Sequence, residues 1–367
     1  MEKTKVLILG DLHFSDVYRG RYKDYLKNCT DVCDKITKIL EDGHYTHFIL
    51  TGDMVGVREK NLKHRNTLLT LISYLMVWNR YTNNNVYSLI GNHDLSGNIT
   101  DFEVFEGMGL IKTSRFLQIM NKGGTDEEYK KLLCNRELEQ IGGDRERDET
   151  QPVGYIDISG VRYHFVDYGK ESLPLKMGEN GLANVVICHN DIQVRGKTTW
   201  WKPSKVNYEL SEQTNWEGVE VVVAGHIHNP SEEMVTTEIG DSPVTLVYVG
   251  CPTRPTKLDT WEFVNGMVIE GAGVESRIQK MTIPLEPLSD LIKEGAEEEL
   301  PEEVEEQVKE SMTVKQLAEI LEEVSKYGLH ENDIKAQIKR VSKLDTEAGE
   351  LALKYYIEAE EMSSADT

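Results

Sequence analysis

Half of the ten histidines in this chain fall in five short motifs that also carry acidic or amide side chains. In chain order these are Asp11-Leu12-His13, Gly52-Asp53, Gly91-Asn92-His93-Asp94, His189 and Gly225-His226-Ile227-His228. Imidazole nitrogens combined with carboxylate and amide oxygens, and without thiolate, suit a cation of borderline hardness such as manganese, iron or zinc. They do not suit calcium or a structural Cys-rich zinc site. Each motif alone says little, because an Asp-x-His pair is usually a cap or surface feature and a single histidine is usually a satisfied core residue. The weight comes from their joint occurrence, each directly after an apolar run.

Those apolar runs are the elements that must position the motifs. Residues 5–10, 47–51, 86–90, 184–188 and 219–224 read as short buried strands, and 24–40 and 62–81 as helices between the first three. Strand alternating with helix implies βαβ units and a mostly parallel sheet. In such sheets, ligands gather in the crevice beyond the carboxyl ends of the strands. Glycine before Asp11, Asp53, Asn92 and His226 would let the backbone turn sharply and approach a ligand closely. After Asn92 the pattern changes. Residues 125–151 form a polar excursion with some helix, and 153–168 a hairpin turning at Ser159-Gly160. Residues 244–249 and 261–269 add strands, the latter turning at Asn265-Gly266, and 276–285 is a last strand. An α/β fold of two sheets packed face to face, with helices outside, accommodates this change.

Composition limits the functions available. The chain has 367 residues and 39% hydrophobic content, enough for a large core with an appendage. A formal net charge of −22 removes any overall attraction to nucleic acid or anionic membrane. The imbalance is uneven: residues 284–367 hold 23 acidic and 9 basic residues, a net of −14, leaving −8 for the rest. Five cysteines (Cys29, Cys33, Cys134, Cys188, Cys251) make no paired framework, which points to a reduced, cytoplasmic protein. No apolar run reaches the length of a membrane span, so no membrane association is expected. Residues 294–310 are rich in glutamate and read as a solvated acidic linker, before helices at 313–327, 332–341 and 348–360. The expected organisation is a core over 1–230, remaining core strands and a strand-rich cap region over 231–285, an acidic linker over 286–312 and a C-terminal helical segment over 313–367.

Together the five motifs resemble the signature of the calcineurin-like metallophosphoesterases, over roughly residues 5–230. The resemblance implies a two-sheet α/β sandwich and two divalent metal ions. Asp11, His13 and His228 would hold the first ion, Asn92, His189 and His226 the second, and Asp53 would bridge them. His93 would stay unliganded, contact the substrate phosphate and protonate the leaving group, with Asp94 orienting its imidazole. The chemistry is sound in itself: two closely spaced cations polarise a phosphoryl oxygen and acidify a water, and a histidine able to give a proton near neutral pH stabilises the departing oxygen.

Within that family, Asp94 stands where protein phosphatases typically have glutamate. Met54 and Val55 occupy the stretch where purple acid phosphatases need a tyrosine. The layout instead resembles SbcD-type DNA repair nucleases and the recombination endonuclease subunits of large phages. Gly250-Cys251-Pro252-Thr253-Arg254-Pro255 is similar to their Gly-Ser/Thr-Pro element, whereas Phe14-Ser15 departs from the Leu-Gly that many of them carry. The expectation is a manganese-dependent DNA nuclease, partnered through the C-terminal helices by an SMC-like coiled-coil ATPase. Arg19, Arg21 and Lys23, then Arg58, Lys60, Lys63, His64 and Arg65, then Arg195 and Lys197 follow ligand motifs, where DNA phosphates could be tracked. Trp200 and Trp201 could stack on bases. The alternatives are a stand-alone phosphodiesterase or phosphatase on small nucleotides and a non-catalytic binding subunit. The broadly apolar helix 62–81 is either buried or the interface of a homodimer.

Overall fold

This computed structural model describes residues 4–15, 22–56, 62–94, 101–134, 153–169, 175–177, 182–194, 208–210, 213–255, 259–271 and 277–293. The chain divides into two units, Met1–Ala296 and Glu297–Thr367. The second, with the expected helices at 313–327, 332–341 and 348–360, lies outside the described residues, as do most of the acidic linker, Arg19, Arg21, Arg58, Lys60, Arg195, Lys197, Trp200 and Trp201.

The first unit holds two six-stranded mixed sheets. In the first, β1 (Lys5–Leu9), β2 (His47–Leu50), β3 (Val86–Ser88) and β4 (Lys112–Thr113) run parallel, with α1 (Tyr25–Gly43) and α2 (Leu62–Tyr81) in the crossovers. In the second, β6 (Val161–Val166), β7 (Ala183–Cys188), β10 (Val221–Ala224) and β12 (Ser242–Tyr248) are parallel, flanked by antiparallel β5 (Gly154–Ile158) and β11 (Val235–Ile239). β13 (Phe263–Glu270) and β14 (Arg277–Pro284) return to the first sheet, antiparallel beside β1. The described strands of 231–285 thus complete the two sheets. β8 (Ile192–Gln193) and β9 (Tyr208–Glu209) form a small separate pair. Further helices are α3 (Asp101–Gly107), α4 (Ser114–Asn121) and α5 (Asp126–Cys134), the last being the described part of the 125–151 excursion.

Alternation along each strand divides the core into three layers. Val6 and Ile8 of β1 point between the sheets, where they meet Val185 and Ile187 of β7 and Val221 and Val223 of β10. Leu7 and Leu9 point the other way, toward Val32 and Ile36 of α1 and Leu71, Leu75 and Trp78 of α2. Val186, Cys188, Val222 and Ala224 face a third cluster around Trp216 and Tyr248. Strands buried on both faces explain why these runs are continuously apolar. Helix α2 is half-committed, since Leu71, Leu75 and Trp78 are fully buried while Leu69 and Met76 are more than half exposed.

One expected turn is overturned. Asn265-Gly266 lies inside β13, not at a hairpin. Asn265 is buried and its Nδ2 donates to the carbonyls of Ser231 (2.7 Å) and Tyr248 (3.2 Å), tying β13 to the end of β12. Gly266 packs under Leu9, where a Cβ would come within 2.9 Å of its Cδ2. The dipeptide answers to tertiary packing. The connection to β14 comes after Glu270. By contrast, Ser159-Gly160 does form the β5–β6 turn, with both residues at positive φ (48° and 83°).

Trp78 fills the space between α2 and the first sheet, edge-on to Phe48 and donating from Nε1 to Thr37 Oγ1 at 2.9 Å. Replacing it with alanine should lower stability by about 3–5 kcal/mol. An unchanged denaturant midpoint would contradict this packing.

Candidate metal centre

All five motifs meet at one edge of the sandwich. β1, β2 and β3 of one sheet and β7 and β10 of the other end there, and each delivers its motif in the next few residues. The loops after β1 and β2 stay zipped together, with His13 N–H donating to Asp53 O and Phe14 N–H to Met54 O, both at 2.9 Å. The ends of β7 and β10 are joined by Gly225 N–H to Cys188 O, also 2.9 Å. Tyr168 N–H to Ile90 O (3.1 Å) bridges the two sheets beside the third motif.

The backbone is strained here. His13, Asp53 and His226 have φ of 42°, 45° and 72°. Left-handed backbone in non-glycine residues costs on the order of 1–3 kcal/mol each and collects where function demands it. Two glycines make the close approach possible. Gly52 has φ of 106° and abuts the His189 ring, and a Cβ on Gly91 would collide with the Asp53 carboxylate.

Two groups of donor atoms converge and share one oxygen. Asp53 Oδ2 lies 3.5 Å from His13 Nε2 and 3.2 Å from His189 Nε2. On the first side, His228 Nε2 is 3.1 Å from His13 Nε2. On the second, Asn92 Oδ1 is 3.1 Å from His189 Nε2 and 3.0 Å from His226 Nδ1. Asp11 lies beneath, accepting from the Thr51 hydroxyl (2.9 Å) and the His226 N–H (2.8 Å). Asp11, His13, Asp53 and His189 are buried, whereas Asn92, His226 and His228 are partly exposed and His93 is exposed. The centre therefore has a sealed floor and an open mouth.

The remaining histidine nitrogens have partners that orient the rings. His189 Nδ1 donates to the Thr51 carbonyl at 2.7 Å, so Nε2 is the nitrogen turned to Asp53 and Asn92. His228 Nδ1 meets Asp259 Oδ2 at 3.2 Å, and His226 Nε2 is 3.5 Å from Asp191 Oδ1. Rings held from behind, with their other nitrogens crowded together beside a carboxylate and an amide oxygen, fit divalent cations. Neutral imidazoles alone would set lone pairs against each other.

Charge in the cluster is correspondingly perturbed. Burial alone would raise Asp53, but the imidazoles of His189, His13 and His93 outweigh it and hold the carboxyl well below its usual range. Burial pushes Asp11 up to about 6 and Asp94 well above the ordinary carboxylate value. Burial would lower His189, yet Asp53 and Asp11 lift it to about 10, while burial drives His13 well down and His226 to about 4.

His93 and Asp94 take different places. His93 N–H donates to Asp53 Oδ1 at 2.8 Å, and its ring stands edge-on to His13, with centroids 4.8 Å apart. His93, His13 and Asp53 also offer donor atoms within 4.8 Å of one another. Asp94 Oδ2 accepts from the backbone N–H of Asp53 (2.8 Å) and Gly91 (2.9 Å), which locks the second and third motifs together.

Several residues here carried no sequence signal. Thr51 and Asp191 are neighbours of motif residues, but Asp259 is remote in sequence. Cys251, from the 250–255 segment, also lies here, its sulfur within 4.8 Å of donor atoms of His13 and His228, so the surroundings are not free of sulfur.

The family model for calcineurin-like phosphoesterase matches residues 4–230, more than half of the chain. The chain belongs to that family. It is thus a metal-dependent phosphoester hydrolase, and the donor groups above are where the phosphoesterase can hold its divalent ions. No curated protein matches it significantly. Among solved structures, that of TT1561 from Thermus thermophilus is similar over 73% of this chain and 98% of its own, at 9% identity and a TM-score of 0.35. No helix among the described residues of this phosphoesterase is long and apolar enough to cross a membrane.

Two tests follow from the geometry. Gly91→Ala should strip metal from the protein, read as ions per chain after desalting, and full retention would contradict the tight Gly91–Asp53 approach. Because His189 holds a proton up to about pH 10, an ion taking its Nε2 must displace that proton. Apparent metal affinity should therefore rise roughly tenfold per pH unit through neutrality. A flat profile in chelator competition would contradict the pairing of His189 with Asp53 and Asp11.

Proposed function

We propose that this phosphoesterase is a DNA nuclease, hydrolysing phosphodiesters with two manganese ions and acting as the nuclease subunit of an SMC-like ATPase complex. The observation that favours this reading is the placement of the 250–255 segment, which resembles the Gly-Ser/Thr-Pro element of SbcD-type nucleases. Thr253 Oγ1 donates to the Leu12 carbonyl at 2.6 Å, and Asn28 Nδ2 (2.9 Å) and Tyr22 Oη (3.3 Å) donate to the Thr253 carbonyl. The segment thus buttresses the loop that carries Asp11 and His13. Asp94 in place of glutamate, and Met54 and Val55 in place of a tyrosine, weigh against the protein phosphatase and purple acid phosphatase readings.

In this reading Asp11, His13 and His228 would hold one ion, Asn92, His189 and His226 the other, and the Asp53 carboxylate would serve both. When bound, the pair polarises a phosphoryl oxygen and lowers the pKa of a water. His93 stands at the exposed mouth and gives a proton to the departing oxygen. Its backbone bond to Asp53 Oδ1 ties that proton donor to the bridging carboxylate. Asp94 keeps the loop in place by accepting from the backbone N–H groups of Gly91 and Asp53, rather than by bonding the His93 imidazole. The basic residues after the ligand loops would track the DNA strand, and the C-terminal helices would dock on the ATPase coiled coil.

One observation favours a small-nucleotide phosphodiesterase instead: the acidic balance, −22 overall, gives DNA no general attraction. Labelled DNA with manganese, with and without an SMC-like ATPase from the same genome, separates the two. Cleavage of ends or single strands is expected. Turnover of bis-p-nitrophenyl phosphate or cyclic nucleotides, with DNA left intact, would favour the second reading. His93→Ala should lower turnover by about 10²–10⁴-fold with metal content near normal. Loss of metal as well would make His93 a ligand.

A further inference from the structure

We propose that Asp259 is a positioning residue that fixes the tautomer of His228, so that the Nε2 lone pair of His228 faces the His13 side of the metal centre. This rests on the two-ion reading and adds a residue outside the stretch that matches the family, which ends at 230.

An ionised carboxylate only accepts hydrogen bonds. With Asp259 Oδ2 3.2 Å from His228 Nδ1, a carboxylate there takes the hydrogen of Nδ1, and in the neutral ring Nε2 keeps the lone pair. That Nε2 is 3.1 Å from His13 Nε2, the spacing of two ligand atoms aimed at a shared centre. Asp259 is itself buried and firmly placed. It precedes β13 in a segment pinned by Trp261 Nε1 donating to the Cys251 carbonyl (3.3 Å) and Arg254 donating to the Trp261 carbonyl (3.2 Å).

The neighbouring histidine supplies an internal comparison. His226 and His228 leave the same strand, β10, yet they present opposite nitrogens to the centre. His226 turns Nδ1 to Asn92 Oδ1 and has Asp191 behind Nε2. Asp191 Oδ1 is buried and has no hydrogen-bond partner among the described residues. The Gly-His-x-His sequence cannot dictate which nitrogen faces inward, because both rings leave one short stretch. The carboxylates behind the rings differ: Asp259 is hydrogen-bonded to His228 and selects its nitrogen, whereas Asp191 lies 3.5 Å from His226 Nε2 without a hydrogen bond.

The test is a zinc titration of the full chain with ¹⁵N-labelled histidine, followed by long-range ¹H–¹⁵N spectra. In the metal-free wild type at alkaline pH, His228 should carry its hydrogen on Nδ1, and a hydrogen on Nε2 would overturn the proposal. Asp259→Ala should weaken one of two zinc-binding steps by about 10–100-fold. The His13 and His228 signals should respond late, while those of His189 and His226 respond as in wild type. Asp259→Asn, which keeps an acceptor oxygen, should recover part of the loss. Two wild-type binding steps in Asp259→Ala would overturn the role of Asp259 alone. A wild type with no zinc-dependent shift at any of these histidines would overturn the two-ion reading as well. Should Asp259→Ala not fold, the wild-type tautomer and the Asp259→Asn titration still decide.

Discussion

A carboxylate that is 1% exposed stays ionised only where positive charge and donors surround it, and Asp53 is that group here. Its Oδ2 stands between His13 and His189, its Oδ1 accepts the His93 N–H, and its own N–H is held by Asp94. Every motif thus reaches this residue directly or through one neighbour. The left-handed backbone at Asp53 aims the carboxylate into the space between the sheets' ends, where neither sheet alone could surround it.

That arrangement explains the division of the fold. One sheet contributes Asp11, His13, Asp53, Asn92 and His93, through the loops after β1, β2 and β3. The other contributes three histidines, through the ends of β7 and β10. The inner apolar layer of Val6, Ile8, Val185, Ile187, Val221 and Val223 fixes the distance between them. Packing of that density responds to the loss of a single methylene. The centre therefore inherits its geometry from a core that carries no polar chemistry. Orientation comes last, from partners behind the rings: Thr51 behind His189 and Asp259 behind His228.

Much of this was legible in the sequence, for physical reasons that also mark the limits. Strands buried on both faces produce unbroken apolar runs, so β1, β2, β7 and β10 and the motifs at their ends could be placed within a residue or two. The Ser159-Gly160 turn was legible because its positive φ is local chemistry. Asn265-Gly266 carries the same kind of signal, but its amide bonds to Ser231 and its glycine packs beneath Leu9, contacts that no local pattern contains. Short edge strands such as β4 and β11 were missed, having few apolar residues to announce them. Asp259 was invisible for the same reason as Asn265: its partner, His228, is near in space and remote in sequence.

The claim on which the rest depends is that Asp53 joins two ions into one centre. Electron paramagnetic resonance of the manganese-loaded protein tests it directly, because two ions bridged by a carboxylate are magnetically coupled. A coupled two-ion spectrum is expected in the wild type and should disappear in Asp53→Ala. A wild-type spectrum of isolated manganese, or a coupled spectrum that survives the loss of Asp53, would contradict it.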